Sequence, residues 1–237
     1  MLAGLPYADA VLAACGLMPA AWQFRQGDRM LAGATAGTLA GPLRNMLLAE
    51  RTLLNFLQRA CGIATTTRHY VDAVAHTGAR ILHTRKTAPG LRLFDVEAVR
   101  AGGGGVHRLD LAHTVMVKDN HWRALAQGGR TLADALAQAR ELGVAELYVE
   151  VESLGHVDEA CDAGATRLLI DNQSPATVAN WGARARGRRP GIEVEATGGI
   201  TLENVARYAQ AAADFISIGA LTHSVTAADI SLEVREG

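Results

Sequence analysis

The stretch LYVEVESLGHVDEACDAGATRLLID (147–171) decides the fold class. It sets two short β-rich runs, LYVEV (147–151) and RLLID (167–171), on either side of a helical pattern over Ser153 to Ala163. Strand, helix and strand at this spacing form the repeating unit of a parallel sheet. The same alternation extends outward to RILHT (80–84), TVMVK (114–118), IEVEAT (192–197) and FISIG (215–219). Helices are expected over Thr131 to Leu142, Ser174 to Arg186 and Thr201 to Ala211, where Ser174 and Thr201 have side chains suited to N-caps. The chain from about Arg80 onward therefore reads as parallel α/β.

Before Arg80 the pattern changes, which marks a separate small α/β or α+β unit. FRQGDRMLAGATAG (24–37) reads as a hairpin with glycine turns, followed by a long helix from Pro42 towards Cys61 and a second helix ending near Gly78. On the helical wheel Met46, Leu47, Leu53, Leu54, Leu57 and Cys61 form an apolar arc, with Glu50 inside it and Arg51 at its edge. A charge on a buried stripe needs a partner or a task. A structural ion pair, or side chains reaching out to water at a domain junction, is the simpler explanation of that pair.

The chain has 237 residues, 49% of them hydrophobic, and 23 Lys+Arg against 24 Asp+Glu for a formal charge of −1. That balance supplies no global basic field for nucleic acid or an anionic membrane. The Arg-rich stretch 183–191 has no aromatic platform beside it and reads as a solvated turn. Pro6, Asp9 and Pro19 interrupt the opening apolar stretch, and no Lys or Arg precedes Arg25, so neither a signal peptide nor a transmembrane helix is expected. Cys15, Cys61 and Cys161 lack both metal-ligand spacing and even pairing, which points to the cytoplasm. No G-x-G-x-x-G follows a first strand, which argues against a Rossmann oxidoreductase.

In parallel α/β barrels the functional groups collect where the strands end. Here those ends supply Arg85 and Lys86, Lys118, Glu150 or Glu152, Asp171, Glu195 with Thr197-Gly198-Gly199, and Gly219. Cations, carboxylates and glycine turns together suit a polyanionic ligand. The turn in ATGGITLENV (196–205) is expected to present backbone N–H groups and a helix N-terminus to phosphate, with Gly219 after the next strand. Only two of the basic residues are lysines, Lys86 and Lys118, which suggests positions that need a compact ammonium. Arg85, Lys86, Arg92, His107, Arg108 and Lys118 fall within 34 positions, a density that suits a ligand with two carboxylates. His113 and His121 read as structural or as supports for the residues that touch the ligand.

At these residues the sequence becomes specific. TRKTAPGLR (84–92), GGGGVHR (102–108), MVKDNH (116–121), VEVES (149–153), LIDNQSP (169–175), EATGGITLENV (195–205) and ISIGALTHS (216–224) resemble, in order, the motifs of quinolinate phosphoribosyltransferase. The resemblance begins at MLAGLP and includes LLAERTLLNFLQRACGIAT (47–65), similar to the family's segment between its two domains. It implies an incomplete or atypical α/β barrel of parallel strands over 67–224 and a sandwich-like α/β domain over 1–66, N-terminally shortened, that 225–237 would complete.

The implied reaction is transfer of phosphoribosyl from phosphoribosyl pyrophosphate to quinolinate, with loss of CO2 and pyrophosphate, giving nicotinate mononucleotide for NAD synthesis. Mg2+ would accompany the pyrophosphate. By motif position Arg85, His107, Arg108 and Lys118 would hold the carboxylates, with Lys86 shared with the phosphoribosyl donor. Arg51 would reach into the site of a neighbouring subunit in a homodimer or larger oligomer. Glu150 and Asp171 would handle the ribose hydroxyls and the metal, directly or through water; Lys118, Glu150 and Asp171 are the catalytic set. Thr197, Gly198, Gly199 and Gly219 would cradle phosphate.

The sequence departs from the family pattern in three places: it starts at the LAGLP motif, it has Asp95-Val96-Glu97-Ala98-Val99 where Glu-Lys-Tyr-Ala-Val is usual, and Thr197 replaces serine. Alternatives are the paralogue found with molybdate transport genes, nicotinate phosphoribosyltransferase, and a non-catalytic phosphoribosyl sensor on the same fold.

Overall fold

The computed structural model describes residues 1–109 and 114–234. By compactness the chain divides into two units: Met1–Val71 with Arg85–Val106 and the segment from Gly219 on, and Asp72–Thr84 with His107–Ile218. The sequence reading instead runs its barrel domain unbroken over 67–224.

The second unit is built on six parallel strands. These are β3 (Arg80–Leu82), β4 (Thr114–Val117), β5 (Glu146–Val151), β6 (Arg167–Asp171), β7 (Glu193–Thr197) and β8 (Phe215–Ser217). Their order is β3-β8-β7-β6-β5-β4. Successive strands from β4 to β8 are neighbours and β3 closes on β8, a cyclic order that is barrel-like. Among the described residues no ladder joins β3 to β4. Val149, Val151, Leu168, Ile170, Val194 and Ile216 are fully buried, as expected of strands covered on both faces. Each such side chain contributes roughly 1.5–3 kcal/mol of hydrophobic stabilisation.

The connecting helices of this unit are α4 (Asp119–Gln127), α5 (Leu132–Glu141), α6 (Leu154–Asp162), α7 (Pro175–Arg188) and α8 (Val205–Gln210). Their starts follow from local chemistry. Ser153 and Ser174 accept the N–H groups of His156 and Thr177, and Thr131 forms a capping box with Asp134. The last helix corrects the sequence reading. It begins at Val205, after a turn in which the Asn204 side chain accepts the Thr201 N–H (2.9 Å) and donates to the Gly199 carbonyl (3.1 Å). The Thr201 side chain therefore caps no helix; Asn204 holds the turn and delays the first helical residue.

In the first unit α1 (Leu5–Ala14), an antiparallel pair β1 (Ala21–Trp22) and β2 (Gly37–Thr38), α2 (Leu43–Val74), α3 (Arg92–Ala101) and α9 (Ala220–His223) occur in chain order. α2 continues from this unit into residues 72–74 of the other. Ala8, Leu12, Leu17, Ala49, Leu53 and Leu57 form its core, beside the edge-packed rings of Tyr7, Phe56 and Phe94. β1 precedes 24–37 and β2 begins at its last residue, Gly37, so most of the glycine-rich segment is the chain connecting the two strands. Leu47 lies outside the buried arc and is exposed.

The two expected helices are one helix of 32 residues. Gly62 lies within it, and the backbone at Thr226 and Ala227 packs where a Cβ would stand, so the position takes no side chain. Ala228 N–H donates to the Gln58 carbonyl (2.9 Å), and the Gln58 amide donates to the Ile230 carbonyl (2.8 Å). Among the described residues no helix is long and apolar enough to cross a membrane.

Glycine to alanine inside a helix ordinarily stabilises by up to about 1 kcal/mol. Gly62→Ala is expected to do the opposite and lower stability by about 1–3 kcal/mol, because the added methyl meets the Thr226 carbonyl. A denaturant midpoint for the two proteins measures the sign, and stabilisation would contradict the packing described.

Candidate active site

In the second unit the chemistry stands at the carboxyl ends of neighbouring strands. Lys118 follows β4 as the residue preceding α4, and its N–H donates to His121 Nδ1 (2.9 Å). Its ammonium lies 3.3 Å from Glu150 Oε2, near the end of β5. Trp122 in α4 donates its indole N–H to the Glu150 carbonyl (2.9 Å), and its ring stacks on His156 at 4.3 Å. Lys118 and Glu150 are thus held together by the same short helix.

On the other side of β5, Asp171 ends β6 and is in register with Thr197 at the end of β7. Asn172 takes a left-handed conformation (φ 53°), donates its N–H to the Thr197 carbonyl (2.9 Å) and its side-chain amide to Asp171 Oδ2 (2.7 Å). A non-glycine residue with positive φ is held there by such bonds, and strain of this kind gathers at functional turns. Gly198 has φ +79°, and a Cβ on it would stand 2.7 Å from Asp171 Oδ1. The Thr197-Gly198-Gly199 turn thus needs glycine for both conformation and space. It precedes a further turn rather than a helix, so any phosphate affinity rests on the turn's own N–H groups.

Arg108, in the same unit, borders a cavity of about 490 Å³ together with Met116, Val117, His121, Leu125 and Arg130. His107 beside it is engaged on both ring nitrogens: Nδ1 accepts the Arg108 N–H (2.7 Å) and Nε2 lies 3.1 Å from Glu195 Oε1. Glu195, on β7, also accepts the Ser217 hydroxyl (2.6 Å) and Arg167 (3.1 Å), and is 1% exposed. Burial works against its ionisation, yet the hydrogen bonds from His107 and Ser217 and the Arg167 charge hold its carboxyl below the ordinary range. Arg167 in turn pairs with Glu193 (2.8 Å) and lies over the rings of Phe215 and Tyr148.

Arg51, Arg85, Lys86 and Gly219 belong to the first unit. Arg51 is exposed on α2. Arg85 is half-buried, and its Nε has no hydrogen-bond partner among the described residues. The Lys86 carbonyl accepts the Thr222 hydroxyl (2.8 Å), and a Cβ on Gly219 would stand 3.2 Å from the Lys86 side chain. The anchor of this loop is Asp95, fully buried at the start of α3. It takes two hydrogen bonds from Arg59 (2.9 and 2.8 Å) and one from the Ala88 N–H (2.9 Å). Arg59 also donates to the Thr222 carbonyl (3.0 Å).

The sequence reading did not find the Arg59–Asp95 lock. Its signal was an arginine on the inward face of a long helix and an acid in the first turn of α3. The departure at 95–99 is absorbed there: Val96 is in the core, and Glu97 pairs with Arg100 at the surface (2.9 Å). His113 lies outside the described residues. Among the described residues no group of three or more His, Cys, Asp or Glu could hold a metal ion by itself.

The family model for the quinolinate phosphoribosyl transferase N-terminal domain matches residues 1–61, and that for its C-terminal domain matches 63–233. The probable nicotinate-nucleotide pyrophosphorylase (carboxylating) of Bacillus subtilis is 39% identical over 212 residues, 89% of this chain and 71% of that protein. The nicotinate-nucleotide pyrophosphorylase (carboxylating) of Mycobacterium leprae is 40% identical over 217 residues, 90% of this chain and 74% of its own. Among solved structures, NadC from Streptococcus pyogenes superposes with a TM-score of 0.86 at 37% identity, covering 96% of this chain and 79% of that one.

Gly198→Ala is expected to cost about 1–3 kcal/mol of stability, since it combines a left-handed backbone with a methyl pressed against Asp171 and Asn172. Inorganic phosphate should then raise the melting temperature of the wild type but not of the variant, as a thermal-shift titration reports; equal shifts would dissociate the turn from phosphate.

Proposed function

The chain belongs to the quinolinate phosphoribosyl transferase family, and on that premise we propose that it transfers phosphoribosyl from phosphoribosyl pyrophosphate to quinolinate. The products are nicotinate mononucleotide, CO2 and pyrophosphate, a step of NAD biosynthesis. The observation that carries the reading is the row of strand ends from β4 to β7, where Lys118, Glu150, Asp171 and the Thr197-Gly198-Gly199 turn follow one another. Such a row offers an ammonium for a carboxylate, two carboxylates for a ribosyl cation and backbone N–H groups for a phosphate.

In this reading Arg85, Arg108 and Lys118 take the two carboxylates, and Lys86 serves both substrates. His107, expected from its motif to hold a carboxylate as well, is given the part of supporting Arg108 here, since both its ring nitrogens are engaged within the protein. The quinolinate nitrogen attacks the anomeric carbon as pyrophosphate departs, and Glu150 and Asp171 face the positive charge that develops on the ribose. The ring nitrogen, now a pyridinium, stabilises the electron pair left on C2 when the adjacent carboxylate leaves as CO2, and that pair then takes a proton from water. Little acid–base machinery is required; fixed orientation can supply roughly 7–11 kcal/mol in favourable cases.

Glu150 and Asp171 fit a Mg2+ ion that arrives with the pyrophosphate. Two carboxylates are too few for a resident metal but suit an ion whose other ligands are phosphate oxygens and water. When bound, that ion supplies neutralisation of pyrophosphate charge. Thr197, Gly198, Gly199 and Gly219 form the phosphate contacts.

The working form is a homodimer in the cytoplasm, with Arg51 serving the neighbouring subunit. Support comes from α2, where exposed Leu43, exposed Leu47 and Arg51 follow at i, i+4 and i+8, one apolar stripe ending in a cation.

Three measurements check these assignments. With quinolinate, phosphoribosyl pyrophosphate and Mg2+, chromatography should show nicotinate mononucleotide formed from quinolinate and not from nicotinate. Lys118→Ala should lower kcat/KM for quinolinate about 10–100-fold with the fold intact, the size expected for one hydrogen bond to a charged group; unchanged kinetics would remove Lys118 from the site. Mixing Arg51→Ala with Lys118→Ala protein should recover activity above that of either variant alone, whereas no recovery would contradict a site shared across the dimer.

A further inference from the structure

Two buried imidazoles hold two consecutive backbone amides just after the glycine run 102–105. His83 follows β3 and is 0% exposed. Its Nδ1 lies 2.9 Å from the Thr84 carbonyl. A carbonyl only accepts, so Nδ1 carries the proton and Nε2 is left as the acceptor that takes the His107 N–H at 3.1 Å. One residue further, the order inverts. His107 Nδ1 accepts the Arg108 N–H, which places its proton on Nε2, facing Glu195. Glu195 cannot turn away, since Ser217 and Arg167 bind it and Arg167 is wedged between two aromatic rings.

We propose that His83 is a positioning residue for Arg108, acting through a clamp of His83, His107 and Glu195 that fixes the amides of residues 107 and 108. The clamp requires both rings to be neutral and of opposite tautomer. His107 then touches no substrate, because each of its nitrogens is committed within the protein, and it serves carboxylate binding only through Arg108. Naming the ligand as a dicarboxylate rests on the function proposed above; the clamp itself rests on the geometry.

The test uses His83→Leu, which removes the acceptor for the His107 amide, and His83→Gln, whose side-chain oxygen can replace Nε2. With His83→Leu the KM for quinolinate should rise at least about tenfold while the KM for phosphoribosyl pyrophosphate stays within about twofold, and His83→Gln should restore most of the loss. A merely structural role would lower melting temperature and kcat in both variants and leave the ratio of the two KM values unmoved, which would overturn the proposal, as would wild-type kinetics in His83→Leu.

Nitrogen spectra of wild-type protein labelled with 15N-histidine need no folded His83→Leu variant. They should show a ring with an unprotonated Nε2 that is lost in His83→Gln and, among the rings with an unprotonated Nδ1, His121 included, one that is lost in His107→Gln. If the signals that these two variants remove come from doubly protonated rings or from the reverse tautomers at neutral pH, the clamp is overturned. A wild type unable to turn over quinolinate would sink the functional reading, while these spectra decide the clamp on their own.

Discussion

Glu195 is a carboxylate inside a parallel sheet, 1% exposed, between a guanidinium, an imidazole and a hydroxyl. Removing such a charge from water costs several kcal/mol, and only partners of good geometry offset it. Those partners lie on different elements: Arg167 at the start of β6, Ser217 at the end of β8, and His107 after the glycine run. Each must be in place for the carboxylate to stay ionised, so its burial fixes β6, β7 and β8 in register and fixes the start of the segment that carries Arg108.

The same logic separates rigid from reactive parts. Arg167 and Glu195 are buried within the sheet and neutralise each other, while Glu193 pairs with Arg167 from a half-exposed position. At the carboxyl ends Lys118 is exposed and Asp171 half-buried, and Glu150, though buried, has the Lys118 ammonium beside it. In the first unit Asp95 takes Arg59 and the Ala88 amide, and so secures the loop of Arg85 and Lys86 from below. Fixed dipoles and charges of this sort need no rearrangement when charge develops on a substrate, and they are worth most in a site that excludes water.

The strands were legible because parallel strands buried on both faces read as short β-branched runs between helix caps. RLLID is β6 to the residue, and the other five runs each overlap their strand. What the sequence hid was tertiary. The helix that reads as ending near Cys61 runs on through Gly62, whose missing side chain leaves room for the backbone of Thr226. Thr201 reads as a cap until Asn204 takes its amide. Leu47 reads as core by periodicity, yet lies on the exposed stripe with Leu43. At the site, residue types at strand ends were visible, since the chain places lysine only at 86 and 118. His83 carried no signal beyond ending a strand run, because its function depends on an amide twenty-four residues away.

The most direct measurement of this account is stability against pH for the wild type and Glu195→Gln. The folded carboxyl titrates below its unfolded value, near 4.3 for glutamate. Its contribution is therefore fully present above that unfolded value and is lost as pH falls through the folded one. The wild type should exceed the variant by a few kcal/mol at neutral pH, with the gap closing only in acid below about pH 4. A gap that is absent at neutral pH, or that widens on acidification, would contradict an ionised Glu195 as the centre of the structure.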